Sequence, residues 1–208
     1  MNNIDILQEE FGMQYEKDRI CVKINFDDDY NEYFQQLTKK SRQNIRTAYN
    51  KFKTNDIDMK LEVISGELKS EERLEKVFKV YTKRSEEWMN KHRACNYIKY
   101  LKNRYFSVLS WGMQRLKEQY TFCFLVNEEL AAFMTGFLMN NNELTVPMVS
   151  MDSDFSKFSP GRLMISESIK HLQKNTKIRC IDVSRGDERY KFDMGGHAHY
   201  NYRYVLNL

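Results

Sequence analysis

Near residue 120 the spacing of apolar residues switches from helical to extended, and this switch constrains the fold more than any other feature of the chain. "TFCFLV" (121–126), "LAAFMTGFLM" (130–139) and "ELTVPMVSM" (143–151) read as three strands. "NEE" and "NNN" separate them, and both are turn-forming, so an antiparallel meander is expected. Upstream, "KLEVIS" (60–65) reads as a strand. A helix follows over 70–92, with Ser70 as its cap and Glu71 and Glu72 in its first turn. Leu74, Val77, Phe78, Tyr81 and Trp88 recur at near-helical spacing, and a second helix spans about 97–117. Downstream, a helix runs from Ser159 to about Lys174, "IRCIDVS" (178–184) is a strand, and "HYNYRYVLNL" (199–208) alternates as a closing strand. The N-terminal part adds a strand, "RICVKIN" (19–25), and one helix from Tyr30 to about Lys53, opened by the acids "DDD" at 27–29. The second half of that helix holds Lys39, Lys40, Arg42, Arg46, Lys51 and Lys53 and no acid.

Composition narrows the class. With 41% hydrophobic and 30% charged residues and only 2 prolines, the chain has the make-up of a globular domain dense in secondary structure. No run of about 18 apolar residues supports a membrane span, and "MNNIDILQEEFG" lacks the basic start and apolar stretch of a secretory signal. Cys21, Cys95, Cys123 and Cys180 are widely spread, which reads as four reduced thiols and a cytoplasmic location. The net charge of +4 is mild and argues against nucleic acid as a partner. The basic helix suits RNA or a membrane surface, but a solvated face, or a lining for an acidic substrate, is the expected reading.

"FSPGRLM" (158–164) opens the helix between the third meander strand and the next strand. The first amides of a helix lack partners within it. Ser159 is expected to cap one with its hydroxyl, and Pro160 fits the first helical position. That leaves the amides of Gly161, Arg162 and Leu163 facing out, with a glycine offering no side chain in the way. Such a helix start, with a positive dipole end and Arg162 beside it, suits a phosphate or pyrophosphate. In a βαβ unit it lies at the carboxyl end of the sheet, where ligands bind.

The order β-α-α-β-β-β-α-β-α-β resembles the GCN5-related N-acetyltransferase (GNAT) fold. In that family the loop before the third main helix carries R/Q-x-x-G-x-G/A and binds the pyrophosphate of acetyl-CoA. Gly161 stands at the second glycine, Ser159 replaces the first, and Ser156 replaces the Arg or Gln. "YTKRSEEW" (81–88), "NEELAAFMTGF" (127–137), "MDSDFSKFSPGRLM" (151–164), "IDVSRGDERYKFDMGG" (181–196) and the basic "LTKKSRQNIRTAYNKF" (37–52) are similar to a narrower branch, the CelD/BioF2-like acetyltransferases, distant relatives of the Fem-type transferases. In larger members this unit is the second of two tandem halves, and of a first half only the strand and helix at 19–53 are expected here. The resemblance implies an α+β fold: a mixed, mostly antiparallel central sheet with helices on both faces, plus the N-terminal strand and basic helix. It divides the chain into an extension (1–56) and an acyltransferase domain (57–208).

The resemblance also implies direct acyl transfer from acetyl-CoA, or another acyl-CoA, to an amine or hydroxyl on a small molecule or saccharide, with no metal. The alternatives are a Fem-like transferase that uses aminoacyl-tRNA and a GNAT-like binding module without catalysis. Pro147, in mid-strand, cannot donate to a ladder and marks an edge, bulge or splay, so Met148, Val149 and Ser150 are candidates for backbone contact with the cofactor. Ser156, Lys157, Phe158, Ser159, Pro160, Gly161, Arg162 and Leu163 complete the expected cofactor loop. Asp182 and Asp152 are candidate bases, each with an ion pair to Arg185 or Lys191 as the plainer role, and Tyr190 is a candidate acid for the departing thiolate. Trp88, Arg185 and Lys191 are candidates for acceptor binding. His197 and His199 alternate along one strand with no third ligand nearby, which leaves a metal unsupported. The oligomeric state stays open, a dimer being one option.

Overall fold

A computed structural model describes residues 14–66, 71–91, 116–139 and 142–205, with scattered residues between 97 and 112. Along the chain the elements are β1 (Gln14–Asn25), α1 (Tyr30–Gln36), α2 (Lys39–Thr54), β2 (Met59–Ser65), α3 (Glu71–Lys91), β3 (Gln119–Val126), β4 (Glu129–Met139), β5 (Glu143–Met151), a 3-10 turn (Ser153–Phe158), α4 (Pro160–Asn175), β6 (Cys180–Arg185), α5 (Arg189–Asp193) and β7 (His197–Val205). Ser70, Asn140, Asn141, Cys95, residues 206–208 and most of the expected helix 97–117 lie outside the described residues.

The seven strands form one sheet in the order β2-β3-β4-β5-β6-β1-β7. The expected meander is present: β2 to β5 pair antiparallel in sequence order. Its first hairpin turns at Asn127 and Glu128, both at positive φ (49° and 66°), as a two-residue turn of primed type requires. Helices cover both faces. α1, α2 and α4 close a large core with Ile24, Phe52, Phe122, Phe124 and Leu163, while α3 buries Val77 and Val80 against Cys123, Phe133 and Met148. β1 is internal, paired antiparallel to β6 on one side and β7 on the other. Its Val22 and Ile24 are fully buried, so the segment expected as an extension shares the sheet and the core of the rest.

The expected single helix over 30–53 is two helices. Thr38 breaks it by capping α2, its hydroxyl accepting the amide of Ser41 at 3.1 Å. Arg42 then donates to the carbonyls of Gln35 and Leu37, at 2.7 and 2.6 Å, which satisfies the C-terminal end of α1.

β5 and β6 are the one parallel pair in the described sheet, and they pair only over Glu143–Thr145 against Cys180–Asp182. β5 bulges just beyond: Thr145 pairs with Phe137 and Met148 with Thr135, so Val146 and Pro147 face Gly136 alone. Gly136 permits this, since a Cβ there would lie 2.9 Å from the Thr145 carbonyl and from Val146 Cγ2. Pro147 therefore marks both a bulge and a splay, and the splay opens a cleft between β5 and β6.

Candidate active site

Two clefts meet at the splay. One, of about 520 Å³, lies at the start of α4 and is lined by Arg84, Val149, Ser150, Ser156, Gly161 and Arg162 among others. The other, of about 440 Å³, lies along β6 and is lined by Cys21, Pro147, Asp182, Arg185, Lys191 and Asn201 among others. Val149, Glu188 and Tyr190 line both.

The start of α4 differs from the expected cap. Ser159 adopts left-handed backbone (φ 55°, ψ 49°) and its hydroxyl makes no cap hydrogen bond. Its carbonyl instead accepts the amides of Arg162 and Leu163, at 3.1 and 3.3 Å. Of the three amides expected to face out, only that of Gly161 is without a hydrogen bond among the described residues. A Cβ on Gly161 would meet only Met151 Sδ, at 3.7 Å, an ordinary contact. Packing therefore does not demand this glycine, whereas it does demand Gly136 and Gly196, where a Cβ would come within 2.4 Å of Val22 Cγ1. The space beside Gly161 is free for a ligand, with the positive end of α4 and the guanidiniums of Arg84 and Arg162 around it. Arg162 is oriented by Asp193, at 3.4 Å.

Along β5 the amide of Asp152 bonds the carbonyl of Ala131 on β4. Strand alternation then turns the amides of Met148 and Ser150 toward β4 as well, and those of Val149 and Met151 toward the splay. Of the three expected backbone contacts, Val149 faces the cleft, while Met148 packs under α3.

The loop after β6 is tightly held. Lys191, 2% exposed, donates to the carbonyls of Ser184, Arg185 and Gly186 at 2.7–3.3 Å and pairs with Glu188 at 2.9 Å. Ser184, near the end of β6, has positive φ (56°), as Ser159 does at the start of α4. Strained backbone of this kind persists where the surroundings impose it and clusters at functional sites. The loop presents Tyr190 to both clefts. Burial, and then the Glu188 carboxylate, push the Tyr190 hydroxyl up to about 12, which keeps its proton in place.

Asp182 is 7% exposed and forms part of the β6-side cleft. Neither expected ion pair is made: Arg185 pairs with Asp18 and Lys191 with Glu188. Asp182 instead accepts the amide of Ser184 at 2.8 Å and meets His199 Nε2 at 3.3 Å. β1 lies between the two strands, and Cys21 is the register partner of both Arg185 and His199. Burial first, and Asp182 second, raise the Cys21 thiol above its ordinary value. Among the described residues no group of three His, Cys, Asp or Glu could hold a metal ion.

Other expected site residues lie elsewhere. Asp152 lines neither cleft; it pairs with Lys83 at 2.5 Å and caps the 3-10 turn. Phe158, Pro160 and Leu163 are buried, and Lys157 sits beside the Phe158 ring outside the lining. Trp88 lies one turn beyond Arg84 and lines neither cleft. Sequence reasoning missed Glu188, Arg84, Cys21, Asn201 and the role of His199. Glu188 belongs to the quoted "SRGDERYK" stretch and could have been found there. His199 could not, because its partner lies two strands away.

The sequence of residues 39–192 matches the family model described as the acetyltransferase (GNAT) domain. None of the curated proteins matches the chain. Among solved structures it is similar to a conserved protein of unknown function from Bacteroides thetaiotaomicron, with TM-score 0.63 and 12% identity over 98% of this chain and 65% of that one. It is similar to L-PGS from Bacillus licheniformis, with TM-score 0.60 and 13% identity over 99% of this chain and 65% of that one. The third is FemX, with TM-score 0.58 and 10% identity over 94% of this chain and 65% of that one. The chain thus spans just under two thirds of each of these structures, and the likeness is one of fold.

Proposed function

Because the chain belongs to the GNAT acetyltransferase family, we propose that it moves an acyl group from an acyl-CoA, acetyl-CoA in the first instance, to an amine or hydroxyl acceptor by direct attack on the thioester. The observation that carries this reading is the convergence of two clefts on Val149, Glu188 and Tyr190 at the β5–β6 splay. One has room and positive potential for a pyrophosphate at Gly161; the other holds a buried carboxylate. The resemblance of 151–164 and 181–196 to the CelD/BioF2-like branch supports the same assignment.

Bound acyl-CoA would supply an activated thioester. The Gly161 amide, Arg162 and Arg84 would hold its diphosphate. The Val149 amide would polarise the thioester carbonyl from the edge of β5. Asp182 would take the acceptor's proton, its carboxylate being fixed by the Ser184 amide and by His199. The Tyr190 hydroxyl would return a proton to the departing thiolate.

The test is a thermal melt. Acetyl-CoA at a hundredfold excess over its dissociation constant adds about 2.7 kcal/mol to stability. For a chain of this length that raises Tm by about 5–10 °C. Free acetate gives no shift. No shift with millimolar acetyl-CoA or longer acyl-CoAs would remove the reading and return the alternatives of an aminoacyl donor or a module without catalysis.

A further inference from the structure

Helix α2 is acid-free, and its charge is not absorbed by the site just described. It holds six of the chain's 33 lysines and arginines and none of its 29 acids. The other 192 residues carry 27 cations against 29 acids, so the net charge of +4 comes from this one helix. The mild total, which argued against a nucleic-acid partner, conceals a segregated charge.

Ser41, Ile45, Ala48 and Phe52 bury one face of α2 in the core. On the other face Lys39, Gln43, Arg46, Asn50 and Lys53 are all exposed, at i, i+4, i+7, i+11 and i+14. That spacing sets them in one row along the helix. Among the described residues, none of the six cations is ion-paired with a carboxylate. Arg42 is bound to backbone carbonyls, Lys51 to the carbonyl of Lys157 at 2.7 Å, and Arg46 lies 5.3 Å from the Phe34 ring centre. The Lys51 contact brings Lys157, itself exposed, to the C-terminal end of the row.

The row rises about 21 Å, since each residue adds about 1.5 Å. Over that length one strand of a nucleic-acid helix presents about six phosphates. Lys, Arg, Asn and Gln are the side chains that hydrogen-bond phosphate oxygens and fix register along a backbone. A lipid surface suits the row less well. A helix lying in a membrane interface needs apolar side chains to bury, and every exposed residue of α2 is Lys, Arg, Gln, Asn or Thr. We infer that the exposed row of α2 docks on the phosphate backbone of a nucleic-acid strand.

The full chain is titrated against a fluorescein-labelled 20-nucleotide polyuridylate, read by anisotropy at 50 and 200 mM KCl. A triple variant, Lys39→Gln, Arg46→Gln and Lys53→Gln, is expected to weaken binding at least about tenfold at 50 mM. It also lowers the slope of log affinity against log salt by about 2, the loss of three phosphate contacts on a single strand. A control triple of equal charge change at exposed lysines away from α2, Lys79→Gln, Lys91→Gln and Lys117→Gln, is expected to change affinity less than about twofold. All positions are solvent-facing, and circular dichroism melts confirm that each protein is folded. Three results would overturn the inference: no binding by the natural protein at 100 μM in 50 mM KCl; an equal loss in the control triple, meaning diffuse charge; or tighter binding to vesicles containing half phosphatidylglycerol, lost in the α2 triple, with the oligonucleotide unaffected.

Discussion

At the scale of single residues, the proposed chemistry rests on Gly161 and Tyr190. Gly161 has ordinary helical backbone and open space at its Cβ position. Gly161→Val is therefore expected to leave Tm within about 2 °C, since Val is a slightly better helix former than Gly, and to abolish the stabilisation by acetyl-CoA. A folded variant with unchanged CoA affinity would show that no diphosphate approaches here. Tyr190 is held protonated by burial and by Glu188. Tyr190→Phe is expected to lower turnover at least about tenfold while CoA affinity is retained. Because the hydroxyl titrates near 12, the ratio of natural to variant rate should be flat from pH 6 to pH 10. A ratio that collapses in that range would place the lost proton on another group.

At the scale of elements, α3 holds the turn that leads into α4. Lys83 reaches Asp152 at 2.5 Å and Asp154 at 2.6 Å, and Ser153 donates to Glu87. Hydrogen bonds to the two aspartates raise the Lys83 pKa. Burial works against the charged form of Asp152, yet the bonds from Lys83 and the Asp154 amide leave its pKa lowered. The raised lysine stabilises the fold fully below its unfolded value of about 10.4 and stops doing so as pH rises through its folded value. The lowered aspartate stabilises above its unfolded value of about 3.9 and stops doing so as pH falls through its folded value. Both act between about pH 4 and pH 10. Lys83→Met should cost about 1 kcal/mol at pH 7, or about 2–4 °C in Tm, and nothing at pH 2. Melts across that range read the effect directly; a cost that persists at pH 2 would point to packing of the lysine stem instead.

At the scale of the molecule, β1 decides what can be removed. It lies between β6 and β7 and, with α1 and α2, contributes Val22, Ile24, Ile45 and Phe52 to the core. A chain beginning at residue 57 would leave two strands without their common partner and expose a face of α4. It is expected to show no cooperative thermal transition, and the full chain is expected to melt in one. A sharp transition in the shortened chain would establish 57–208 as an independent domain, as the division by sequence resemblance has it.

The meander, the place of α4 and the room at Gly161 were legible in the sequence because each is set locally. Alternation marks β3, β4 and β5, the residues of "NEE" turn the first hairpin, and Pro160 fits the first position of α4. Pro147 announced the irregularity in β5, since a residue without an amide cannot complete a ladder. The break at Thr38 was missed because one capping hydroxyl outweighed a continuous helical pattern. Ser159 was misread because the 3-10 turn before it imposes left-handed backbone, which removes the hydroxyl from capping. The pairing of β1 with β6 and β7, and the meeting of Asp182 with His199 across it, exist only in the folded sheet. The residues of β1 lie 155–164 positions from their partners in β6 and 174–191 from those in β7, and no local pattern records which strand will fill a gap that other strands create.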